Sequence, residues 1–327
     1  MINIVAERSW SEQDGLGTFI MNGSDNGTIF HRPLFLQYHD KNKFPKADPV
    51  QFSFYKNNIR VAFITGALQH DSGQTTFISP FASSYGGVVY DSKLSFKELE
   101  EILDLLLTHL QKECSCIRLT TTPSFQSKNG KSGYLDFILL SKGFSIVKSD
   151  IVLVHQLGPE DKLIPRIDKK TATELKQPLD KNPLRLEIIA GVDKPSYNLL
   201  VQSKERLQSS PTHTYDELLR IENLLPGTIQ TFKAYSGDDF LAGIITFGVN
   251  KTILNTFYIF DKFEARAFKA NHFNYFHVLK NAFENNYRYL DFGPTSFGWQ
   301  PNYPLIDFKE KFDAKPFLRQ HFEKRLS

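Results

Sequence analysis

The chain is short of several features that would announce a chemistry. Its 327 residues include two cysteines, two methionines and two tryptophans. Cys114 and Cys116 lie two apart, so in a strand they point to opposite faces and form no structural bridge. Two thiols without a second pair of soft ligands make no zinc site, and no metal is expected. Charge is balanced to +3, and the longest basic cluster is Asp168-Lys169-Lys170. That gives no support to a nucleic-acid surface, and none is expected. No apolar run reaches the length of a membrane span, and no basic start leads into one. A cytoplasmic protein without a span or signal peptide is the expectation. Gly-x-Ser-x-Gly, a Walker loop and His-Glu-x-x-His are all missing, so a covalent Ser or Cys intermediate has no motif to support it. No heptad run appears.

Phenylalanine is plentiful instead, with 29 Phe and 13 Tyr. Rings on this scale build strand cores and line clefts that suit sugars. The length fits about two domains of roughly 150 residues each. The pattern divides at Gly158–Pro183, rich in Lys, Asp and Pro. We expect an N-terminal domain over 1–160, a linker over 161–183 and a C-terminal domain over 184–327. Inside the linker, Thr171–Lys176 reads as a short capped helix.

The first half starts irregularly, with a short helix in Phe30–His39 that has Pro33 in its first turn. Strands follow at Gln51–Tyr55 and Ile59–Leu68, joined by an Asn57-Asn58 turn, then at Thr75–Ile78 and Gly87–Tyr90. Ser95 and Glu98 form a capping box ahead of an amphipathic helix running to Lys112. Cys116–Thr121 is a strand, Tyr134–Lys142 a helix stopped by Gly143, and Phe144–Gln156 a closing strand pair. The second half has helices at Tyr197–Leu207 and Tyr215–Leu225. A hairpin of Thr228–Ala234 with Phe240–Phe247 follows, then a strand at Ile253–Phe260. Next come a helix at Asn271–Asn285, a strand at Tyr287–Phe292, a short helix at Asp307–Phe312 and a last strand at Phe317–Phe322. Each half repeats the other in pattern, without residue identity.

The ordered groups Phe30-His31 with Tyr38-His39, Tyr85-Gly86-Gly87, Pro211-Thr-His-Thr214 with Glu217-Leu218, Leu290-Asp-Phe-Gly293 and Phe308-Lys309-Glu310 carry a resemblance. The chain resembles FemAB-like proteins, tandem GNAT-fold acyl- and aminoacyl-transferases, and within them the polysaccharide-cluster GNAT-like proteins. The fold implied is α/β with mixed sheets in two tandem GNAT-like domains. In each, a splay between two central strands admits acyl-CoA. The activity implied is transfer of an acetyl or other acyl group to an amine or hydroxyl of a surface-polysaccharide sugar, free, nucleotide-linked or lipid-linked. Three departures stand out. The glycine-rich pyrophosphate loop is replaced by Arg266-Ala-Phe-Lys-Ala-Asn271, Phe312-Asp313-Ala314 replaces Phe-Gly-Ala, and the coiled-coil arm associated with tRNA-dependent transfer is absent. Aminoacyl-tRNA-dependent transfer to a peptidoglycan precursor is one alternative. A non-catalytic glycan- or partner-binding protein is another.

The catalytic candidates are His213, Asp291 and Lys309. An imidazole in a polar loop suits proton removal at neutral pH, though Pro211–Thr214 also reads as a helix-linking turn. Asp291 either acts as a base or bonds the loop after its strand. Lys309, by the resemblance, steadies negative charge. Substrate-binding candidates are Tyr85, Gly86, Gly87, His39, Arg206, Thr212 and Phe308. The glycines allow close approach of a ligand or a bulge between strands. His39 ranks below His213. Arg206 offers a guanidinium to a phosphate or a favourable charge at a helix end. Arg266, Lys269 and Asn271 at a helix start are the candidates for the CoA phosphates.

Overall fold

The computed structural model describes residues 1–39, 43–158, 170, 173 and 184–326. The chain forms two compact units, Met1–Ile151 with Phe317–Ser327, and Val152–Pro316. The expected 161–183 linker and its Thr171–Lys176 helix lie outside the described residues, apart from 170 and 173.

In the first unit β1 (Ile2–Glu7) leads through two short helices, α1 (Leu16–Thr18) and α2 (Pro33–Leu36), to β2 (Ala47–Lys56), β3 (Ile59–Asp71), β4 (Gln74–Ser79) and β5 (Val89–Tyr90). Helix α3 (Phe96–Leu110), β6 (Cys116–Thr120), α4 (Ser132–Ser141) and β7 (Ser145–Gln156) follow. The second unit contains β8 (Leu184–Ala190), α5 (Lys194–Glu205), α6 (Tyr215–Leu224), β9 (Ile229–Ser236), β10 (Asp239–Asn250) and β11 (Ile253–Asp261). After these come α7 (Ala270–Glu284), β12 (Tyr289–Pro294), the small hairpin β13 (Ser296–Phe297) and β14 (Gln300–Pro301), α8 (Tyr303–Glu310) and β15 (Lys315–Arg325).

Local chemistry accounts for the element ends. Asn57 and Asn58 take left-handed φ of 50° and 63°, as a two-residue hairpin between β2 and β3 requires. The Glu98 N–H reaches Ser95 Oγ at 3.3 Å, and the Ser95 N–H reaches the Glu98 carboxylate at 2.8 Å, closing the capping box of α3. Leu99, Ile102, Leu103, Leu106 and Leu110 then fall on one buried face. They pack with Phe52, Phe54, Phe77 and Leu139 in the first unit's core.

The two units share a strand plan. In the first, β1, β2, β3 and β4 run antiparallel, β4 pairs parallel with β6, and β6 pairs antiparallel with β15. In the second, β8 to β11 run antiparallel, β11 pairs parallel with β12, and β12 pairs antiparallel with the end of β7. Each unit is thus completed by the strand that follows the other unit's last helix.

This exchange corrects the expected division. Val152–Gln156 belongs to the second unit, and the last strand, expected in the C-terminal domain, belongs to the first. Phe144–Gln156 is one strand rather than a pair, because its two ends serve different units. β1 and β8 were not expected as strands. Both lie at the outer edge of the strand order, with only part of their residues buried, so little hydrophobic alternation marks them. No helix among the described residues is long and apolar enough to cross a membrane.

Candidate active site in the second unit

The second unit's sheet parts where its parallel pair ends. β11 and β12 match at Ile253 with Tyr289, Leu254 with Leu290 and Asn255 with Asp291, and no further. β11 continues six residues to Asp261, held among the described residues by β10 alone. β12 turns away at Gly293, whose φ of +74° suits glycine.

Asp291 and Lys309 shape that turn. Asp291 is fully buried, and its Oδ1 accepts the Gly293 N–H at 2.7 Å. Of its two expected roles, the structure displays the loop bond. The Asp291 carbonyl accepts from Asn255 Nδ2 at 3.2 Å and Thr256 Oγ1 at 3.4 Å. Lys309 is 2% exposed and projects from α8. Its Nζ donates to the carbonyls of Phe292, of Gly293 at 3.1 Å and of Pro294 at 3.4 Å. An ammonium has three donors, and three carbonyls receive them. Burial lowers the Lys309 pKa to about 7, with nearby Asp291 pulling it upward. Phe308, beside it, packs its ring against His272, Tyr275 and Phe312.

His213 lies in the turn between α5 and α6. Thr214 and Glu217 cap α6 reciprocally at 3.1 and 2.8 Å, which fixes that turn. The His213 ring is 5% exposed, against Phe257 and Phe247. Its Nδ1 is 2.7 Å from Tyr258 Oη, which also receives the His213 backbone N–H at 3.1 Å. Thr212 Oγ1 is 2.6 Å from the same phenol oxygen. Burial pushes the Tyr258 phenol up to about 12, so it keeps its proton at neutral pH. Tyr258 stands on β11 three residues beyond Asn255, on the stretch that β12 no longer covers.

Helix α7 supplies the third side. Lys269 caps it in the left-handed region, φ +55°, without a side-chain cap. Asn271 donates to Asp261 Oδ2 at 2.9 Å, and Arg206 reaches Asp261 Oδ1 at 2.7 Å, so both candidates anchor the end of β11. Arg266 lies 5.3 Å over the Phe263 ring. Asn274 and Tyr275 are fully buried. Asn271 Oδ1 and Asn274 Oδ1 have no partner among the described residues, and Tyr275 Oη has only the nearby Thr256 hydroxyl, outside good hydrogen-bond geometry. Burial holds the Tyr275 phenol well above its ordinary value, with the Thr256 hydroxyl acting the other way. A buried amide oxygen without a donor is costly to leave so.

Sequence reasoning missed Thr256, Tyr258, Asn274 and Tyr275. The available signal was polar groups inside apolar patterns: Thr256 and Tyr258 flank a bulge at Phe257 that turns them to opposite faces of β11, and Asn271, Asn274 and Tyr275 share a helix face.

The remaining candidates lie in the first unit. Gly86 donates its N–H to Thr120 O at 2.9 Å, and Gly87 donates to Ser79 Oγ at 3.0 Å. A Cβ on Gly86 would sit 2.3 Å from Pro80 N. Tyr85 is 2% exposed and packs on Phe30. His39 Nε2 lies 3.2 Å from Ala82 O. The loop that carries Tyr85, Gly86 and Gly87 therefore fills the end of the β4 and β6 pair. Cys114 and Cys116 are free and buried, and no group of three or more potential ligands for a metal occurs among the described residues.

No protein-family model and no curated protein sequence matches the chain. Solved structures do. The crystal structure of FemX is 12% identical, covers 94% of each chain and superposes with a TM-score of 0.67. A tandem GNAT protein from the clavulanic acid biosynthesis pathway is 10% identical over 100% of this chain and 99% of its own, with a TM-score of 0.57. The C-terminal domain of a putative lysylphosphatidylglycerol synthetase from Agrobacterium fabrum is 10% identical over 80% of both chains, with a TM-score of 0.53. The chain has the FemAB-like tandem GNAT fold.

Proposed function

We propose that the protein is an acyltransferase whose second unit holds the donor between β11, β12 and α7. The parting of β11 and β12 beyond Asn255 and Asp291 carries this reading. It leaves one edge of β11 without a ladder partner among the described residues, beside Tyr258 and the unpartnered groups of α7. Lys309 and Asp291 keep β12 turned aside. A donor with amide N–H groups, as in the pantetheine arm of acyl-CoA, satisfies Asn271 Oδ1 and Asn274 Oδ1. Arg266, Lys269 and the start of α7 take its phosphates. His213, set by Tyr258, removes a proton from the acceptor's amine or hydroxyl as that atom attacks the thioester carbonyl. The carbon–sulfur bond then breaks, and Tyr258 passes its proton to the thiolate as its oxygen takes the one held by His213 Nδ1, 2.7 Å away. The acceptor is a sugar of a surface polysaccharide, free or nucleotide-linked. The similar tandem GNAT protein from the clavulanic acid biosynthesis pathway is described without AcCoA, so that likeness names this donor class but holds no donor.

Purified protein with acetyl-CoA and a panel of nucleotide amino sugars tests the reading. We expect thiol release that depends on both substrates, and a thermal upshift with CoA, since a ligand at a hundred times its Kd stabilises by about 2.7 kcal/mol. Neither CoA binding nor thiol release would sink it. One observation favours aminoacyl transfer instead: Lys269 holds a left-handed position where a phosphate loop would have glycine. An aminoacyl ammonium also satisfies unpaired amide oxygens, and the likeness to a lysylphosphatidylglycerol synthetase points the same way. Transfer from aminoacyl-tRNA with no response to CoA would establish that reading.

A further inference from the structure

A polar cluster at the end of β6, in the first unit, takes no part in the reading above. Thr120 ends β6 and faces His321 across the ladder with β15. Thr120 Oγ1 is 2.9 Å from His321 Nδ1, and His321 Nε2 is 2.9 Å from Asp150 Oδ2. Asp150 is 1% exposed and stands on β7. It also accepts from Arg319 Nη2 at 2.7 Å and Nε at 3.2 Å, and Lys148 Nζ lies 3.5 Å from its other oxygen. These cations let a carboxylate remain ionised at such depth.

An ionised carboxylate only accepts, so it fixes the ring proton on Nε2 of a neutral His321. Nδ1 then turns its lone pair to the Thr120 hydroxyl. Burial holds the His321 pKa below its ordinary value, with Asp150 opposing, so the ring is neutral at pH 7. The His321 side chain keeps 22% of its surface exposed, so the pair is not sealed from solvent.

A hydroxyl, a base and an orienting carboxylate in hydrogen-bond series are the parts of an activated nucleophile, recognised by geometry rather than by sequence order. We propose that Thr120 is a second reactive centre, one that takes an acyl group from an activated ester or thioester with His321 as base and Asp150 as the positioning residue. Thr120 Oγ1 gives its proton to His321 Nδ1 and bonds to the acyl carbon. The donor's carbon–oxygen or carbon–sulfur bond breaks, and the leaving alkoxide or thiolate takes the proton from Nδ1. Water, deprotonated at the same nitrogen, then hydrolyses the threonyl ester. Two nearby amides are already committed, Thr121 N to Gln320 O at 3.2 Å and Gly86 N to Thr120 O at 2.9 Å. They offer no oxyanion hole, which confines the reaction to donors with good leaving groups.

The test is p-nitrophenyl acetate with the full chain, following nitrophenolate release and locating the acetyl group by peptide mass spectrometry. We expect acetyl on Thr120, its loss in Thr120→Val, retention in Thr120→Ser and at least tenfold slower labelling in His321→Gln. Thr120→Ser and His321→Gln decide the matter if Thr120→Val does not fold. Acetyl on lysines alone, or a His321→Gln variant that labels Thr120 at the parent rate, overturns the proposal. A purely structural network predicts that second outcome. The readout needs neither CoA nor an acceptor sugar, so its failure is distinct from failure of the acyltransferase reading.

Discussion

Replacing Lys309 with Met should make the chain's relative stability depend on pH. In the fold the ammonium is 2% exposed and its pKa falls from 10.5 to about 7. That gap corresponds to about 5 kcal/mol against the charged form in the fold. The sign follows from the protons. Below pH 7 both states carry the ammonium, and the fold bears the whole burial cost. Between pH 7 and 10.5 the unfolded chain binds a proton that the folded chain releases, so stability from this group rises with pH. Lys309→Met removes that cost and also the donors to the carbonyls of Phe292, Gly293 and Pro294. Leaving each buried carbonyl without a partner costs about 1–3 kcal/mol. The two effects oppose at pH 6.5, where they largely offset each other and the variant is expected near the parent in stability. By pH 9 the parent should gain about 2–3 kcal/mol on the variant. Urea unfolding of both proteins at pH 6.5, 8 and 9 measures the difference, in which titrating groups that do not interact with Lys309 cancel. A difference that stays flat, or shrinks as pH rises, refutes the buried-ammonium account.

Tyr258→Phe removes the oxygen shared by Thr212, His213 Nδ1 and the His213 amide. We expect a loss of about 1–3 kcal/mol in stability and a large fall in kcat; unchanged turnover would remove Tyr258 and His213 from the mechanism. Gly86→Ala should destabilise the first unit by several kcal/mol, about the scale of severe overpacking, because its Cβ would meet backbone at 2.3 Å; a melting temperature within a degree of the parent would contradict the packed loop. His31, fully buried with its pKa lowered to about 4 by burial, should weaken the fold as pH falls from 6.5 toward 4, by about 3 kcal/mol. His31→Gln should lose part of that acid sensitivity in unfolding curves, and an identical pH profile would refute the assignment.

Much of the strand and helix order was legible because the chain punctuates itself with local devices: Asn57-Asn58, Ser95 with Glu98, Thr214 with Glu217, and Gly143. The destination of the last strand was not. Phe317–Phe322 reads the same whether it pairs with β12 or β6, since local hydrophobic alternation carries no partner identity. The site was legible where a polar residue sat at a strand end or in a turn, as with Asp291 and His213. It was illegible where polar groups lay within apolar runs, since Tyr258 and Tyr275 look like core aromatics until their hydroxyls are placed. Lys309 was found by motif, but its three carbonyl acceptors depend on the turn at Gly293, a long-range fact. Arg206 and Asn271, expected on different ligands, meet on one carboxylate, Asp261, which no spacing revealed.

The two units follow one strand plan yet treat its weak point differently, and this difference bears on where a donor goes. In each, a parallel pair ends and its strands part. In the first unit the chain after β4 returns into that place: Gly86 bonds Thr120 O, Gly87 bonds Ser79 Oγ, and the His31 ring holds Gly86 O at 3.1 Å. The fit is so close that Gly86 has no room for a Cβ. In the second unit the comparable turn carries Gly293, and a Cβ there would meet nothing within 4 Å. Backbone groups in a sheet seek partners wherever water is excluded. The first unit supplies them from its own loop, while the second withdraws its strand end onto Lys309 and leaves amide oxygens of α7 unpaired. A ligand that brings N–H donors is therefore favoured in the second unit, whereas in the first it would have to displace four hydrogen-bonded and packed residues, Tyr85, Gly86, Gly87 and His31. This asymmetry is the ground on which the donor is proposed to bind the second unit.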